Sequence, residues 1–166
     1  MAAVHLRSLF SADAISLKLE ACEKSDILRE LVTLLKLDAE SQAGLYRALR
    51  RRENMGSSGI GRGVAIPHCR SRMVNRIHVA FARKSEGVDF NALDRKPVYY
   101  FFLIIAPAEE DWYLTVLADI AQFARDPDVH DRLAQLETPE QFLALLNENA
   151  DVHDPERPGW RGTYKP

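Results

Sequence analysis

Apolar and polar residues alternate differently along successive stretches of the chain, and each rhythm predicts an element. ISLKLEA (Ile15–Ala21) repeats every second residue, the period of a half-buried strand. In KSDILRELVTLLK, Ile27, Leu28, Leu31, Leu34 and Leu35 fall on one helical face, with Ser25 as the expected N-cap. A second helix is predicted over about 39–52 behind Asp38, with Leu45, Tyr46 and Leu49 inward. Arg50, Arg51 and Arg52 fall at its end, where cations offset the helix dipole.

NMGSSGIGRG (Asn54–Gly63) cannot continue that helix and reads as a tight, backbone-exposing loop. VAIPH follows as a short strand stopped by Pro67. RIHVAFARK (Arg76–Lys84) and VYYFFLIIAP (Val98–Pro107) are β-branched and aromatic. The second is apolar on both faces, as a central strand covered by helices on each side requires. From Glu109 the rhythm is helical again. A short helix is expected from Asp126-Pro127, and a last one from the capping box Thr138-Pro139-Glu140-Gln141 through about Asn147. Strands mixed with helices throughout predict an α/β sandwich, one domain over residues 1–150. The segment 151–166, rich in Pro and Gly, reads as a poorly ordered tail.

Composition narrows the class. Of 166 residues, 46% are hydrophobic and 28% charged, with a formal net charge of −2, which argues against a mainly nucleic-acid-binding or membrane-adsorbing protein. Two cysteines, Cys22 and Cys69, exclude a disulfide scaffold and a four-cysteine zinc site. The N-terminus does not read as a signal peptide, and the longest apolar run is about half of what a membrane helix needs. The expectation is a soluble cytoplasmic domain.

Charge is unevenly spread. Seven arginines and one acid, Glu53, lie between Arg50 and Arg76, whereas thirteen acids and two arginines lie between Glu109 and Glu156. The cationic stretch brackets the glycine-serine loop and His68. Such a loop can cradle an anion, because glycines let N–H groups converge and Ser57 and Ser58 add hydroxyl donors. It is neither a Walker A loop nor a dinucleotide fingerprint, and the histidine spacings suit no zinc or iron site. His78 reads as a structural strand residue; His5, His130 and His153 read as solvated. Cys69, on the opposite face of an extended segment from His68, cannot serve it as a thiol partner. No nucleophile elbow supports a serine hydrolase. At a strand end, His68 could attack phosphorus through a ring nitrogen while arginines and N–H groups neutralise the phosphoryl oxygens.

RRENMGSSGIGRGVAIPHCR (Arg51–Arg70) closely resembles the active-site signature of enzyme IIA domains of the fructose–mannitol family of the bacterial phosphoenolpyruvate-dependent phosphotransferase system. It looks most like the nitrogen-regulatory branch, and the resemblance extends over about residues 8–148. It implies a mixed, roughly five-stranded sheet flanked by helices. By position, His68 matches the histidine that accepts the phosphoryl group from an HPr-type carrier, and Arg52 the arginine beside the phosphate. Ser57, Ser58, Gly59 and Gly61 match the active-site loop, and Arg62 is a further candidate charge stabiliser. The donor being a protein, no metal or organic cofactor is implied.

Many members carry a second histidine at the head of the helix after the final strand. Here that position is Tyr113, in Asp111-Trp112-Tyr113-Leu114. Tyrosine can donate a hydrogen bond to a phosphate oxygen but supplies no imidazolium, and it can equally serve as packing. Three functions stay open on this reading: a regulatory phosphohistidine carrier, a IIA-like binding module without phosphorylation, and a sugar-uptake IIA that passes phosphate to a separate enzyme IIB.

Overall fold

The computed structural model describes residues 6–149. The tail expected over 151–166, with His5 and His153, lies outside the described residues. After a one-turn helix α1 (Leu6–Leu9) and a 3₁₀ turn (Ala12–Ala14), the chain forms β1 (Ile15–Ser16), α2 (Lys24–Thr33) and α3 (Ala39–Asn54). Four strands follow: β2 (Gly59–Gly61), β3 (Val64–Ala65), β4 (His68–Ser71) and β5 (His78–Val88). Then come the long β6 (Val98–Pro107) and the helices α4 (Tyr113–Arg125), α5 (Pro127–Ala134) and α6 (Pro139–Glu148).

The sheet is mixed, in the order β1-β5-β6-β3-β2, with β4 also paired to β6. β5 and β6 are antiparallel, whereas β3 and β4 both run parallel to β6. Val64 stands opposite Tyr100 and His68 opposite Ile104, so β3 and β4 are one line in unbroken register along the same edge of β6. The line is interrupted at Pro67, which has no N–H to give. Its carbonyl still accepts from Ile104 N at 3.0 Å. Six strand segments therefore fill five lateral places, which reconciles the described sheet with the expected five.

β6 is central because both its faces are apolar. Tyr100, Phe102, Ile104 and Ala106 join one core, with Phe81, Ile120, Phe123 and Phe142. Phe101, Leu103 and Ile105 join the other, with Ile27, Leu31, Leu45 and Leu49. Alternate residues of one strand thus bury against different helix layers, α4–α6 on one side and α2–α3 on the other.

Two expectations need correction. The strand read over Ile15–Ala21 is laddered only at Ile15–Ser16. Beyond that, one backbone bond remains, from Leu19 N to the Arg83 carbonyl at 3.0 Å, and the side chains of Arg83 and Lys84 take the carbonyls of Leu17, Leu19 and Glu20. Helix α2 begins at Lys24 with Glu23 as N-cap, and Ser25 caps nothing. Lys24 is held there by Glu53 at 2.8 Å and the Phe90 carbonyl at 3.2 Å, tertiary contacts that override a local cap. Asp38, Asp126 and the Thr138–Gln141 box cap α3, α5 and α6 as expected.

Candidate active site

α3 packs beside β4, so its last turn comes to lie near the start of that strand. A cavity of about 320 Å³ opens between them, and Arg51, Arg52, Met55, His68, Arg70 and Tyr113 are among the residues lining it. Its lining includes three guanidinium groups and no carboxylate. Arg70 lies with its guanidinium 5.5 Å from the centre of the Tyr113 ring and 3.5 Å from exposed Asp111. Tyr113 in turn sits 6.5 Å from the His68 ring, centre to centre.

His68 is half-buried, and its Nδ1 lies 2.7 Å from the carbonyl oxygen of Ile66. A carbonyl only accepts, so Nδ1 carries the proton, and in the neutral ring Nε2 holds the free lone pair. Burial pushes the His68 pKa below the usual 6.5; the Arg52 cation pushes it the same way, against the Ile66 hydrogen bond and Glu53. The ring is therefore held in its neutral form at pH 7, oriented by its own backbone and set among cations. Cys69, the next residue, is buried and its thiol is pushed up to about 12, so it contributes no thiolate.

The loop before β2 is organised by a buried carboxylate. Glu53, 6% exposed, accepts from the Ser58 backbone N–H at 3.1 and 3.2 Å and from the Ser58 hydroxyl. Lys24 neutralises it from α2. Ser57 donates to the Phe90 carbonyl at 2.7 Å and accepts from Gly59 N at 3.1 Å. Arg52 closes the same turn by donating from Nη1 to the Gly56 carbonyl at 2.8 Å. The loop is thus pinned at several points before any ligand arrives.

These contacts correct the reading of the loop as an open anion cradle. The hydroxyls of Ser57 and Ser58 are bound within the protein and do not line the His68 cavity. Gly59 lies in β2 opposite Ala65, and a Cβ there would come within 2.8 Å of the Ala92 backbone. Gly61 abuts Asp94, and Arg62 and Gly63 take positive φ as the two-residue turn between β2 and β3. Arg62 faces a different cavity, so it is not beside His68. His130 is no solvated bystander either. Its Nε2 lies 2.7 Å from the Arg62 carbonyl, and its ring meets Tyr100 edge-on at 5.1 Å.

The structure brings together His68, Arg52 and Tyr113 from the residues read in sequence, and adds Arg51 and Arg70. The density of arginine between 50 and 76 was the signal for these two, but sequence distance could not say which arginines converge. Glu53 was also missed. As the lone acid in a cationic stretch it stood out, yet its burial is a tertiary fact.

Comparison with known proteins agrees with this geometry. Residues 8–149 match the family described as phosphoenolpyruvate-dependent sugar phosphotransferase system, EIIA 2. A nitrogen regulatory protein of Bradyrhizobium diazoefficiens is 34% identical over 144 residues, covering 85% of this chain and 94% of its own length. The fructose-specific EIIABC component of Bacillus subtilis is 29% identical over 87% of this chain, which spans 23% of that larger protein. The crystal structure of nitrogen regulatory protein IIA-Ntr from Neisseria meningitidis superposes with a TM-score of 0.78 at 32% identity, covering 85% of this chain and 98% of that one. By sequence match, fold and relatives alike, the chain belongs to the EIIA 2 family of the phosphoenolpyruvate-dependent phosphotransferase system.

Proposed function

We propose that the protein is a phosphohistidine carrier of the nitrogen-regulatory branch, accepting a phosphoryl group on His68 from an HPr-type protein in the cytoplasm. The observation that carries this reading is the His68 ring itself, its Nδ1–H fixed on the Ile66 carbonyl and its neutral Nε2 left free beside Arg52. In the transfer, the Nε2 lone pair forms the new N–P bond. The bond from phosphorus to the donor atom breaks, and its electron pair returns to the donor. Nδ1 keeps its proton, and the positive charge arising on the ring is shared with the Ile66 carbonyl. Arg52, with Arg51 and Arg70, offsets charge on the phosphoryl oxygens. Tyr113 stands where a phenolic donor could reach an oxygen of the bound group.

The phosphate-binding role read for Ser57, Ser58, Gly59 and Gly61 becomes an indirect one on this reading. They hold the loop whose Gly56 carbonyl ties Arg52 at the end of α3, and Arg62 takes no part at His68. Met55 is 81% exposed at the cavity edge and Leu114 is 53% exposed beside Tyr113, an apolar margin suited to a protein donor. Among the described residues no helix is long and apolar enough to cross a membrane.

A second reading, a sugar-uptake IIA that serves an enzyme IIB, draws on the fructose-specific relative. The superposition on the IIA-Ntr structure, at a TM-score of 0.78, supports the regulatory role. Intact-mass measurement after incubation with phosphoenolpyruvate, enzyme I and the HPr-type carrier tests the central claim. One acid-labile phosphate increment, absent in His68→Ala, is expected. No increment from a carrier shown to be charged would leave a binding module in its place.

A further inference from the structure

A second cavity, about 450 Å³, lies against the turn between β2 and β3 and shares no lining residue with the one at His68. Arg62, Lys96, Arg125 and His130 line it together with Tyr99. Its floor is Gly63, whose carbonyl accepts from Tyr99 N at 2.8 Å and Tyr100 N at 3.0 Å. A side chain at Gly63 would meet the Tyr99 ring at 3.0 Å and His130 Nε2 at 3.7 Å, so glycine keeps the space open. Pro97 and Pro127 form stiff edges.

The charge in this cavity is unbalanced. Among the described residues, Arg62, Lys96 and Arg125 enter no ion pair, and Asp131 is the one carboxylate in the lining. Asp94, which accepts from the backbone N–H groups of Arg62 at 2.9 Å and Lys96 at 3.0 Å, keeps its charge and acts on Lys96, so three cations face two carboxylates. Exposed cations scattered on a convex surface need no explanation. Three that converge on a concavity with an aromatic wall focus a positive potential where a flat body can also be stacked. The volume falls within the range of small-molecule sites, roughly 300–1,000 Å³.

We propose that this cavity binds a small planar organic anion, its carboxylate or phosphate held by Arg62, Lys96 and Arg125 and its ring laid on Tyr99. The site is independent of the phosphocarrier reading, because it uses none of the groups around His68.

Titrating phenyl phosphate, and separately inorganic phosphate, into the full-length ¹⁵N-labelled protein tests the idea. Phenyl phosphate is expected to shift the amide signals of Gly63, Tyr99 and His130 saturably, with a dissociation constant between about micromolar and millimolar. Lys96→Ala/Arg125→Ala, with its spectrum otherwise preserved, should bind about tenfold or more weakly, as loss of charge-assisted contacts implies. His68→Ala should bind as tightly as the parent. Equal affinity for inorganic phosphate would overturn the ring contact. The site itself falls with shifts centred on His68 and lost in His68→Ala, with unchanged affinity in the double variant, or with no saturation by about 10 mM.

Discussion

Among single residues, His68 is kept neutral and oriented by its surroundings. The Ile66 carbonyl fixes the tautomer, burial disfavours the imidazolium, and the Arg52 cation disfavours it further. Phosphorylation should be abolished in His68→Ala while the circular dichroism stays native, since the half-buried ring lies at a cavity rather than in either core. Arg52→Ala should slow phosphoryl acceptance by roughly 10²-fold, the loss typical of one donor to a developing anion, measured by rapid quench. The same change should raise the His68 pKa toward 6.5 in an NMR titration, because a cation that opposed the imidazolium is gone. An acceptance rate equal to the parent's would reduce Arg52 to a tie on the Gly56 carbonyl. That His68 and Arg52 meet at one cavity is legible in the sequence, because a glycine-rich loop, a proline and an arginine cluster stand together. The hydroxyls of Ser57 and Ser58 look the same in sequence whether they face a ligand or, as here, the Phe90 carbonyl and the Glu53 carboxylate.

The elements place these residues by two devices. One is the break at Pro67, which ends β3, lets β4 resume in the same register, and sets His68 at the first position of the resumed strand. The other is the Glu53 anchor, through which α3, α2 and the loop before β2 are joined. Glu53→Ala strands the buried Ser58 N–H and releases Lys24, which is partly exposed and can find water. A stability loss of about 2–3 kcal/mol is expected in urea denaturation, together with slower phosphoryl acceptance from a loosened Arg52. A Glu53→Ala protein as stable as the parent would mean that the network only decorates the loop. Thr138→Ala removes the capping box of α6 and should cost about 1 kcal/mol with acceptance untouched. Helices α3, α5 and α6 were readable to within a residue or two because their caps are local. The reach of β1 and the start of α2 were not, because Arg83, Lys84 and Glu53 act on them from far along the chain.

For the whole molecule, charge and pH are linked. His68 and His78 both have pKa values lowered chiefly by burial, so below about 6.5 the unfolded chain takes up protons that the fold resists. Stability should therefore fall as pH drops through 6.5 toward the lowered folded values. A second loss should come near and below pH 4, where the hydrogen-bonded carboxylates of Asp38, Asp94 and Glu148, held below their ordinary values, are protonated. Thermal midpoints against pH check this, and His68→Ala should make the upper slope shallower, leaving the part due to His78 and the acid window unchanged; an unaltered upper slope would contradict the burial effect. The α/β class, the central place of β6 and the signature around His68 can be read from the chain alone. Alternation, capping and motif spacing are properties of neighbours along the chain, and the two apolar faces of one strand demand a helix layer on each side. Which arginines gather at His68, the turning of Arg62 to another cavity and the burial of Glu53 under Ser58 emerge only in the folded chain. Convergence of distant side chains depends on strand order and helix packing, which no local rhythm encodes.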